Sequence, residues 1–260
     1  MTSQPSAAEL AKLEEELDPE MQFRKVPHGT ALIVGGLLLA LSAFHYYTAG
    51  FGLLRETTHR GIHLAFVLGL IFLVFSARKS QGRTVHASSL WSPGGVPLYD
   101  WVFALAVAVS SLYVPWIFED MVFRIGNPST LDVVMGSITI ILMIEATRRA
   151  IGWGLPLIAL FAMTYAIFGN WFPGIFLHPG ATWSNLVNHL YLTSQGVYGV
   201  ALGVVATYVF HFVLFGVLAT RIGLGRLFLG VAAAVAGRYA GGPAKVSIFG
   251  SALFGMISGS

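Results

Sequence analysis

Long apolar stretches alternate with short polar segments along this chain of 260 residues. An α-helix needs about 17–25 mostly apolar residues to cross the ~30 Å hydrocarbon core of a bilayer. Six stretches come close to that length, and none has the period-two alternation of a transmembrane β-barrel. They are Thr30–Tyr46, Gly61–Ser76, Trp101–Phe118, Leu131–Ala146, Ile151–Phe168 and Val197–Leu218. The pattern predicts an all-α integral membrane protein with about six transmembrane helices.

Two shorter apolar runs follow the sixth span. Leu227–Ala236 and Val246–Ile257 are separated by a glycine-rich segment, and Ser258-Gly259-Ser260 comes after the second run. Runs of about 10–14 residues are too short to cross a bilayer and are typical of interfacial or re-entrant helices. Interrupted helices build the midplane ion sites of secondary transporters, because freed carbonyls and hydroxyls can coordinate Na⁺. The pattern indicates an interfacial helix and the first arm of a re-entrant hairpin, although a frayed Ser/Gly-rich terminus has the same appearance.

The distribution of charge supports a membrane location and predicts an orientation. Charged residues make up only 10% of the chain, whereas soluble domains carry about a quarter. With the N-terminus inside, 12 of the 15 Lys and Arg residues fall on the inner side, and only Arg55, Arg60 and Arg124 fall outside. The positive-inside rule therefore predicts a cytoplasmic N-terminus, and it explains the net charge of +3 without nucleic acid. The absence of cysteine excludes disulfides and thiolate metal sites.

The outer segment between the fifth and sixth spans, residues 169–195, lacks Lys and Arg and is rich in aromatic residues, including Trp171 and Trp183. Tryptophan is enriched at membrane interfaces, where the amphipathic indole lies at the level of the headgroups. One interpretation is therefore an interfacial aromatic belt. The other is a docking surface for an extracytoplasmic partner, in which Trp171 and Trp183 contact that partner.

Several ionisable residues lie at the ends of the predicted spans. Glu145 precedes Arg148 and Arg149 by three and four residues, a spacing that predicts a local ion pair on one helix face. A role for Glu145 in proton coupling is the alternative. Asp100, Glu119, Asp120 and Asp132 flank spans, and we expect all four to be solvated helix ends.

Three histidines in the spans raise other hypotheses. His45 and His63 lie near the outer ends of the first two spans, and two facing imidazoles can ligate a b-type haem. His211 lies inside the sixth span, where an ionisable residue is a functional candidate, although a neutral ring bonded to a neighbouring helix would also suffice. No Walker-type motif, nucleophile motif or metal-ligand spacing occurs, so we expect neither an enzyme nor an ATP-driven pump.

Three sets of motifs resemble the fused membrane component of the tripartite ATP-independent periplasmic (TRAP) transporters, in the TAXI branch. The first is EATRRAIGWGLP at Glu145–Pro156. The second is HLYLT at His189–Thr193, followed by GVALG at Gly199–Gly203. The third and most specific is GRYAGGPAKV at Gly237–Val246 together with SALFGMISGS at Ser251–Ser260. The resemblance covers roughly residues 28–260.

The resemblance implies a division of the chain into four parts. In that family a small four-helix domain scaffolds a large transport domain, which is built from two inverted repeats with helical hairpins and moves in an elevator-like manner. The expected parts are a cytosolic segment (1–28), the small four-helix scaffold domain (29–150), a linking helix with a periplasmic loop (151–195), and the start of the transport domain (196–260). The family's ion and substrate contacts at the hairpin tip would fall on Gly255, Ser258, Gly259 and Ser260.

The resemblance also implies a function. The expected activity is uptake of a small organic anion that a periplasmic TAXI-type binding protein delivers, coupled to an ion gradient, with Na⁺ as the suspected coupling ion and no other cofactor. The expected location is the cytoplasmic (inner) membrane of a bacterium or archaeon. Because the sequence stops at the hairpin tip, we expect an incomplete N-terminal part of the permease. The alternatives are a non-transporting membrane scaffold or anchor and a b-type haem cytochrome.

Overall fold

The computed structural model describes residues 23–24, 26–77 and 92–258, and these residues are almost entirely helical. In chain order the helices are α1 (His28–Phe51), α2 (Glu56–Val74), α3 (Leu98–Trp116), α4 (Phe118–Arg124), α5 (Thr130–Ile151), α6 (Gly154–Phe168), α7 (Trp183–Val187), α8 (Val200–Val204), α9 (Phe210–Arg221), α10 (Leu224–Ala236) and α11 (Gly242–Ser258). The pairing of Phe23 with Phe75 is an isolated bridge, and the described residues form no strand. The prediction of an all-α fold is confirmed.

Six helical segments are long and apolar enough to cross a membrane. They are His28–Phe51, Glu56–Val74, Leu98–Trp116, Thr130–Ile151, Gly154–Trp171 and Val200–Arg221. The last consists of α8, the π-helical turn Val205–Val209 and α9. All six predicted spans are confirmed, but Ile151 closes α5 instead of opening the fifth span. The reason is Gly152, whose φ of 88° ends α5 in a conformation that glycine adopts without steric cost.

The described residues form two compact units. The first, unit 1, contains the described residues within Met1–Leu41 and Arg55–Gly199, and the second, unit 2, contains Ser42–Leu54 and the described residues within Val200–Ser260. Helix α1 contributes residues to both units.

The core of unit 1 is built around α2, which packs closely along α3. Nine of the 19 residues of α2 are buried, compared with one of the 15 residues of α6. The closest approach lies at Gly61, where a methyl group would overlap the Pro115 ring and lie 2.9 Å from the Ser111 carbonyl oxygen. The absence of a side chain at Gly61 therefore allows the two helices to touch where α3 contains its proline.

Two buried tyrosines fasten the segment after α7 to α3. This segment starts with the π-helical turn Asn188–Leu192. Tyr191 donates its hydroxyl to the Ser110 carbonyl at 2.5 Å, and Tyr198 donates to the Ser111 carbonyl at 2.6 Å. The Ser111 carbonyl would bond the amide of residue 115 in a regular helix, but proline has no N–H. Tyr198 thus satisfies a carbonyl that Pro115 leaves open.

Unit 2 contains the end of α1, the sixth span and the pair α10 and α11. Tyr46 of α1 donates its hydroxyl to the Leu214 carbonyl of α9 at 3.4 Å. Helices α10 and α11 run antiparallel, because Gly225 faces Phe254 while Leu229, later in α10, faces the earlier Gly250 of α11. The two short apolar runs therefore form a helical hairpin with its turn at residues 237–241. This α10–α11 hairpin is distinct from the predicted re-entrant hairpin, of which α11 would be the first arm.

Candidate functional site

The hairpin of α10 and α11 is shaped by glycine and proline at its turn. Helix α10 follows Gly223 (φ 90°), and Gly241 (φ 72°) directly precedes α11. Both values lie in the left-handed region that favours glycine. Pro243 is the second residue of α11, where its missing N–H has no helical partner to lose. Gly223 explains the bend before α10, whereas Gly241 and Pro243 explain locally why the chain restarts as a helix at Gly242.

A groove of about 470 Å³ lies along the hairpin. Its lining residues come from both helices and are Gly225, Leu229, Ser247, Gly250, Ser251, Phe254 and Gly255. Those from α11 follow one another at intervals of three, one, three and one, which places them on a single helix face. The groove is therefore bordered by glycine backbone and serine hydroxyls as well as by apolar side chains.

The structure locates two of the four predicted ion and substrate residues. Gly255 lines the groove, and Ser258 is the last residue of α11. Gly259 and Ser260 lie outside the described residues. The assignment of ion and substrate contacts to Gly255, Ser258, Gly259 and Ser260 remains a prediction.

The charged side chains of unit 2 are all basic. Residues 42–54 and 200–260 contain no Asp or Glu, whereas Arg221, Arg226, Arg238 and Lys245 are present and exposed. A cation bound in this unit would therefore be coordinated by neutral carbonyl and hydroxyl oxygens. An organic anion would meet a positive electrostatic field. Among the described residues, no cluster of three His, Cys, Asp or Glu side chains forms a metal site.

The two predicted docking residues differ in their surroundings. Trp171 is 78% exposed, at the end of a 3₁₀ turn that follows α6. Trp183 opens α7, and its indole N–H donates to the Ser137 hydroxyl of α5 at 2.8 Å. Trp183 thus holds segment 169–195 against α5, while the Trp171 ring is largely exposed. Their contact with a partner protein remains a prediction.

A buried network of charges joins the beginning of α3 to the end of α5. The Asp100 carboxylate is fully buried and accepts from Arg24 at 2.5 Å and from Arg149 at 2.6 Å. Glu145 accepts from Arg148 and from Arg149, each at 2.7 Å. The local ion pair predicted for Glu145 is confirmed, while the expectation of a solvated Asp100 is wrong. Asp100 is buried because two guanidinium groups neutralise it.

Asp132 is likewise buried and not a solvated helix end. Its carboxylate accepts from the Ser129 backbone amide at 2.8 Å, from the Tyr113 hydroxyl at 2.6 Å and from Arg124 at 3.1 Å. The Ser129 hydroxyl accepts in turn from the Asp132 amide at 3.2 Å, which completes a capping box at the start of α5. Asp132 therefore links the beginning of α5 to α3 and to α4 within unit 1.

The order of the membrane spans could have predicted the Arg24–Asp100–Arg149 network. In a chain that crosses the membrane with each span, the beginnings of the first and third spans and the end of the fourth lie on the same side. Arg24, Asp100 and Arg149 occupy these three places. Charged residues that topology brings to one membrane face are candidates for pairing, because an ionisable residue near lipid is costly unless paired.

The histidines of the predicted spans are distributed between the two units. His45 belongs to unit 2 and His63 to unit 1, and both are buried. A haem bound by His45 and His63 remains a hypothesis. His211 of α9 bonds the His45 carbonyl on α1 at 2.8 Å, so the predicted bond to a neighbouring helix is confirmed.

Comparison with known proteins gives one match. Residues 138–260 match the family model of the tripartite ATP-independent periplasmic transporter, DctM component. No curated protein and no solved structure matches the chain. The matched region begins within α5 and includes α6, the sixth span and the hairpin of α10 and α11. Residues 138–260 are thus similar to the DctM membrane component of these transporters, and the six apolar helices of the chain agree with a membrane component.

Proposed function

We propose that this chain is part of a TRAP-type permease that uses a Na⁺ gradient to take up an organic anion delivered by a periplasmic binding protein. The observation that carries the proposal is the family match over residues 138–260, which includes the whole α10–α11 hairpin. In this proposal the chain is the N-terminal part of a fused permease of the TAXI branch. It lies in the cytoplasmic membrane with its N-terminus inside.

The ion and substrate site in this proposal is at the end of α11. Gly255, Ser258, Gly259 and Ser260 contribute backbone carbonyls and hydroxyls to Na⁺ and to the solute. The hydroxyl-bearing groove along α11 and the lack of acidic residues in 200–260 support a site made of neutral oxygens. The four exposed basic residues of the same unit support an anionic solute.

The binding protein in this proposal docks on the outer segment 169–195. The exposed indole of Trp171 supports this assignment, because tryptophan is enriched among the residues that contribute most to protein interfaces. Trp183 is partly engaged with Ser137 and contributes its remaining exposed face.

Uptake assays on the full gene product test the coupling and the site together. Vesicles containing the permease are supplied with the binding protein and a panel of radiolabelled dicarboxylates and amino acid anions, with and without an inward Na⁺ gradient. We expect Ser258→Ala and Ser260→Ala each to raise the half-saturating Na⁺ concentration about tenfold. A hydroxyl ligand that contributes about 1.4 kcal/mol to the free energy of Na⁺ binding corresponds to that factor.

Thr220→Val is the matched control, because the exposed Thr220 hydroxyl bonds the Gly216 carbonyl within α9 at 2.8 Å. It should leave the Na⁺ dependence unchanged. An equal rate of wild-type uptake with and without the Na⁺ gradient would contradict Na⁺ coupling. Na⁺-dependent uptake that is unaltered in both serine variants would contradict only the site assignment.

A further inference from the structure

Two basic side chains share one tyrosine ring at the turn between α10 and α11. The centre of the Arg238 guanidinium group lies 5.6 Å from the centre of the Tyr239 ring, and the Lys245 ammonium nitrogen lies 5.7 Å from it. Arg238 belongs to the turn itself, whereas Lys245 is the fourth residue of α11. The turn therefore brings a positive charge from before α11 close to one that α11 carries.

No carboxylate within unit 2 neutralises this pair of charges. Residues 42–54 and 200–260 contain no Asp or Glu. In the part of the chain that the structure describes, every ion pair lies in unit 1. Arg238 and Lys245 are both exposed, so a ligand can reach them. Because like charges repel each other, an anion bound between the two side chains would offset their repulsion.

A phosphate group matches the chemistry of the two side chains. The planar guanidinium group of Arg238 can donate two parallel hydrogen bonds to phosphate oxygens, and the Lys245 ammonium adds a compact positive charge. In a membrane protein the most abundant phosphates nearby are those of the lipid headgroups. Basic clusters at the membrane surface attract anionic lipids, and each Lys or Arg contributes to that attraction.

Exposed apolar side chains next to the charges favour a lipid over a soluble anion. Ile248 and Phe249 follow Lys245 by three and four residues, so the three side chains lie on one face of α11. Ile248 is 68% exposed and Phe249 is 51% exposed. Tyr239, at 55% exposure, is of a type enriched at the level of the headgroups. A phospholipid can contact the charges and the apolar side chains at once, whereas a small soluble anion uses only the charges.

We propose that the α10–α11 turn binds an anionic phospholipid, with its phosphate between Arg238 and Lys245 and its acyl chains along Ile248 and Phe249. The bound headgroup joins the turn to the start of α11 and so holds the hairpin at the membrane surface. This inference goes beyond the proposed transport function, because it depends on neither the coupling ion nor the solute nor the binding protein.

Native mass spectrometry of the full gene product in detergent tests the inference, because it resolves individual bound lipids. The wild type is titrated with phosphatidylglycerol and with phosphatidylcholine that has the same acyl chains. We expect tighter binding of phosphatidylglycerol, whose headgroup carries a net negative charge. Glycerol 3-phosphate is the soluble probe, since it offers a phosphate without acyl chains, and it should bind more weakly than phosphatidylglycerol.

The double variant Arg238→Ala/Lys245→Ala removes both proposed phosphate contacts. We expect it to raise the Kd for phosphatidylglycerol about thirtyfold, the factor that corresponds to two basic headgroup contacts. The matched control is Arg221→Ala/Arg226→Ala, which removes the same charge from exposed positions at the other end of α10. It should leave the Kd nearly unchanged.

Three results would overturn the inference. One is equal affinity of the wild type for the two lipids, and another is equal loss of affinity in the two double variants, which would show an effect of net charge alone. The third is binding of glycerol 3-phosphate as tight as that of phosphatidylglycerol, which would assign the pair to a soluble anion. The comparison of ligands on the wild type needs no variant, so a variant that fails to fold leaves the inference testable.

Discussion

The Tyr198 hydroxyl bonds the Ser111 carbonyl at 2.6 Å, and this carbonyl is the one that Pro115 deprives of its helical partner. Tyr198→Phe keeps the ring and leaves that buried carbonyl unsatisfied. We expect a loss of about 1–3 kcal/mol in the free energy of unfolding. Thermal unfolding of the purified protein in detergent measures the effect. Tyr208→Phe, at an exposed position of the sixth span, should change the unfolding temperature little.

The same tyrosines predict a loss of stability in alkaline solution. Burial raises the pKa of Tyr191 and of Tyr198 above the ordinary value, which is about 10. A folded-state pKa above the unfolded value gives stability that is complete below the ordinary pKa and decreases as the pH rises beyond it. Above about pH 10, the unfolding temperature of the wild type should fall more steeply than that of a Tyr191→Phe/Tyr198→Phe double variant. If the unfolding temperature falls equally steeply with pH in both proteins, ionisation of Tyr191 and Tyr198 is not the cause of the alkaline loss of stability.

Asp100→Asn should destabilise unit 1 strongly. The substitution removes the carboxylate that neutralises Arg24 and pairs with Arg149, so that Arg149 keeps only the Glu145 carboxylate of the two that it contacts. Breaking a buried ion pair from one side costs about 3–5 kcal/mol. Thermal unfolding is again the measurement, with Glu119→Gln at an exposed position as the control. A change as small as that of the control would show that the network contributes little.

Gly61→Ala tests the close packing of α2 on α3. The added methyl group would overlap Pro115, and overpacking of this kind costs about 1–3 kcal/mol. Gly36→Ala is the matched control, because a Cβ at this position of α1 has no neighbour within 4 Å. Alanine is favoured over glycine in a helix, so the control should be neutral or slightly stabilising. Similar destabilisation of both variants would contradict the packing argument.

Trp171→Ala should weaken docking of the binding protein without altering stability, because the ring is largely exposed. If the Trp171 ring contributes about 2 kcal/mol to the free energy of binding, its loss raises the Kd about thirtyfold. Surface plasmon resonance with the permease in nanodiscs measures the affinity. Trp153→Ala, directly before the fifth span and at the opposite end of it from Trp171, is the control. Unchanged affinity would assign Trp171 to the aromatic belt at the membrane interface.

The six spans could be predicted because the thickness of a bilayer sets the length of each apolar run. The ion pair of Glu145 with Arg148 and Arg149 was equally predictable, because the i+3 and i+4 spacing on one helix places the groups together. These features depend on local sequence, and the structure confirms them.

The features that the sequence analysis missed depend on distant partners. Asp100 is neutralised by Arg24 and Arg149, which are 76 and 49 residues away along the chain. The Nε2 partner of His211 is 166 residues away. Hydropathy alone does not reveal which helix ends meet, so the burial of Asp100 and the identity of the His211 partner follow only from the packed structure. The assignment at Ser258–Ser260 stays a prediction.

The network around Asp100 also constrains the order in which the chain is made. Arg24 and Asp100 leave the ribosome before Arg149, so the first three spans enter the membrane with Asp100 lacking one of its two arginines. The beginning of α3 can therefore reach its final buried form only after the fourth span has been inserted. Loss of Arg149 should leave Asp100 with one arginine partner fewer after the fourth span has entered the membrane as well.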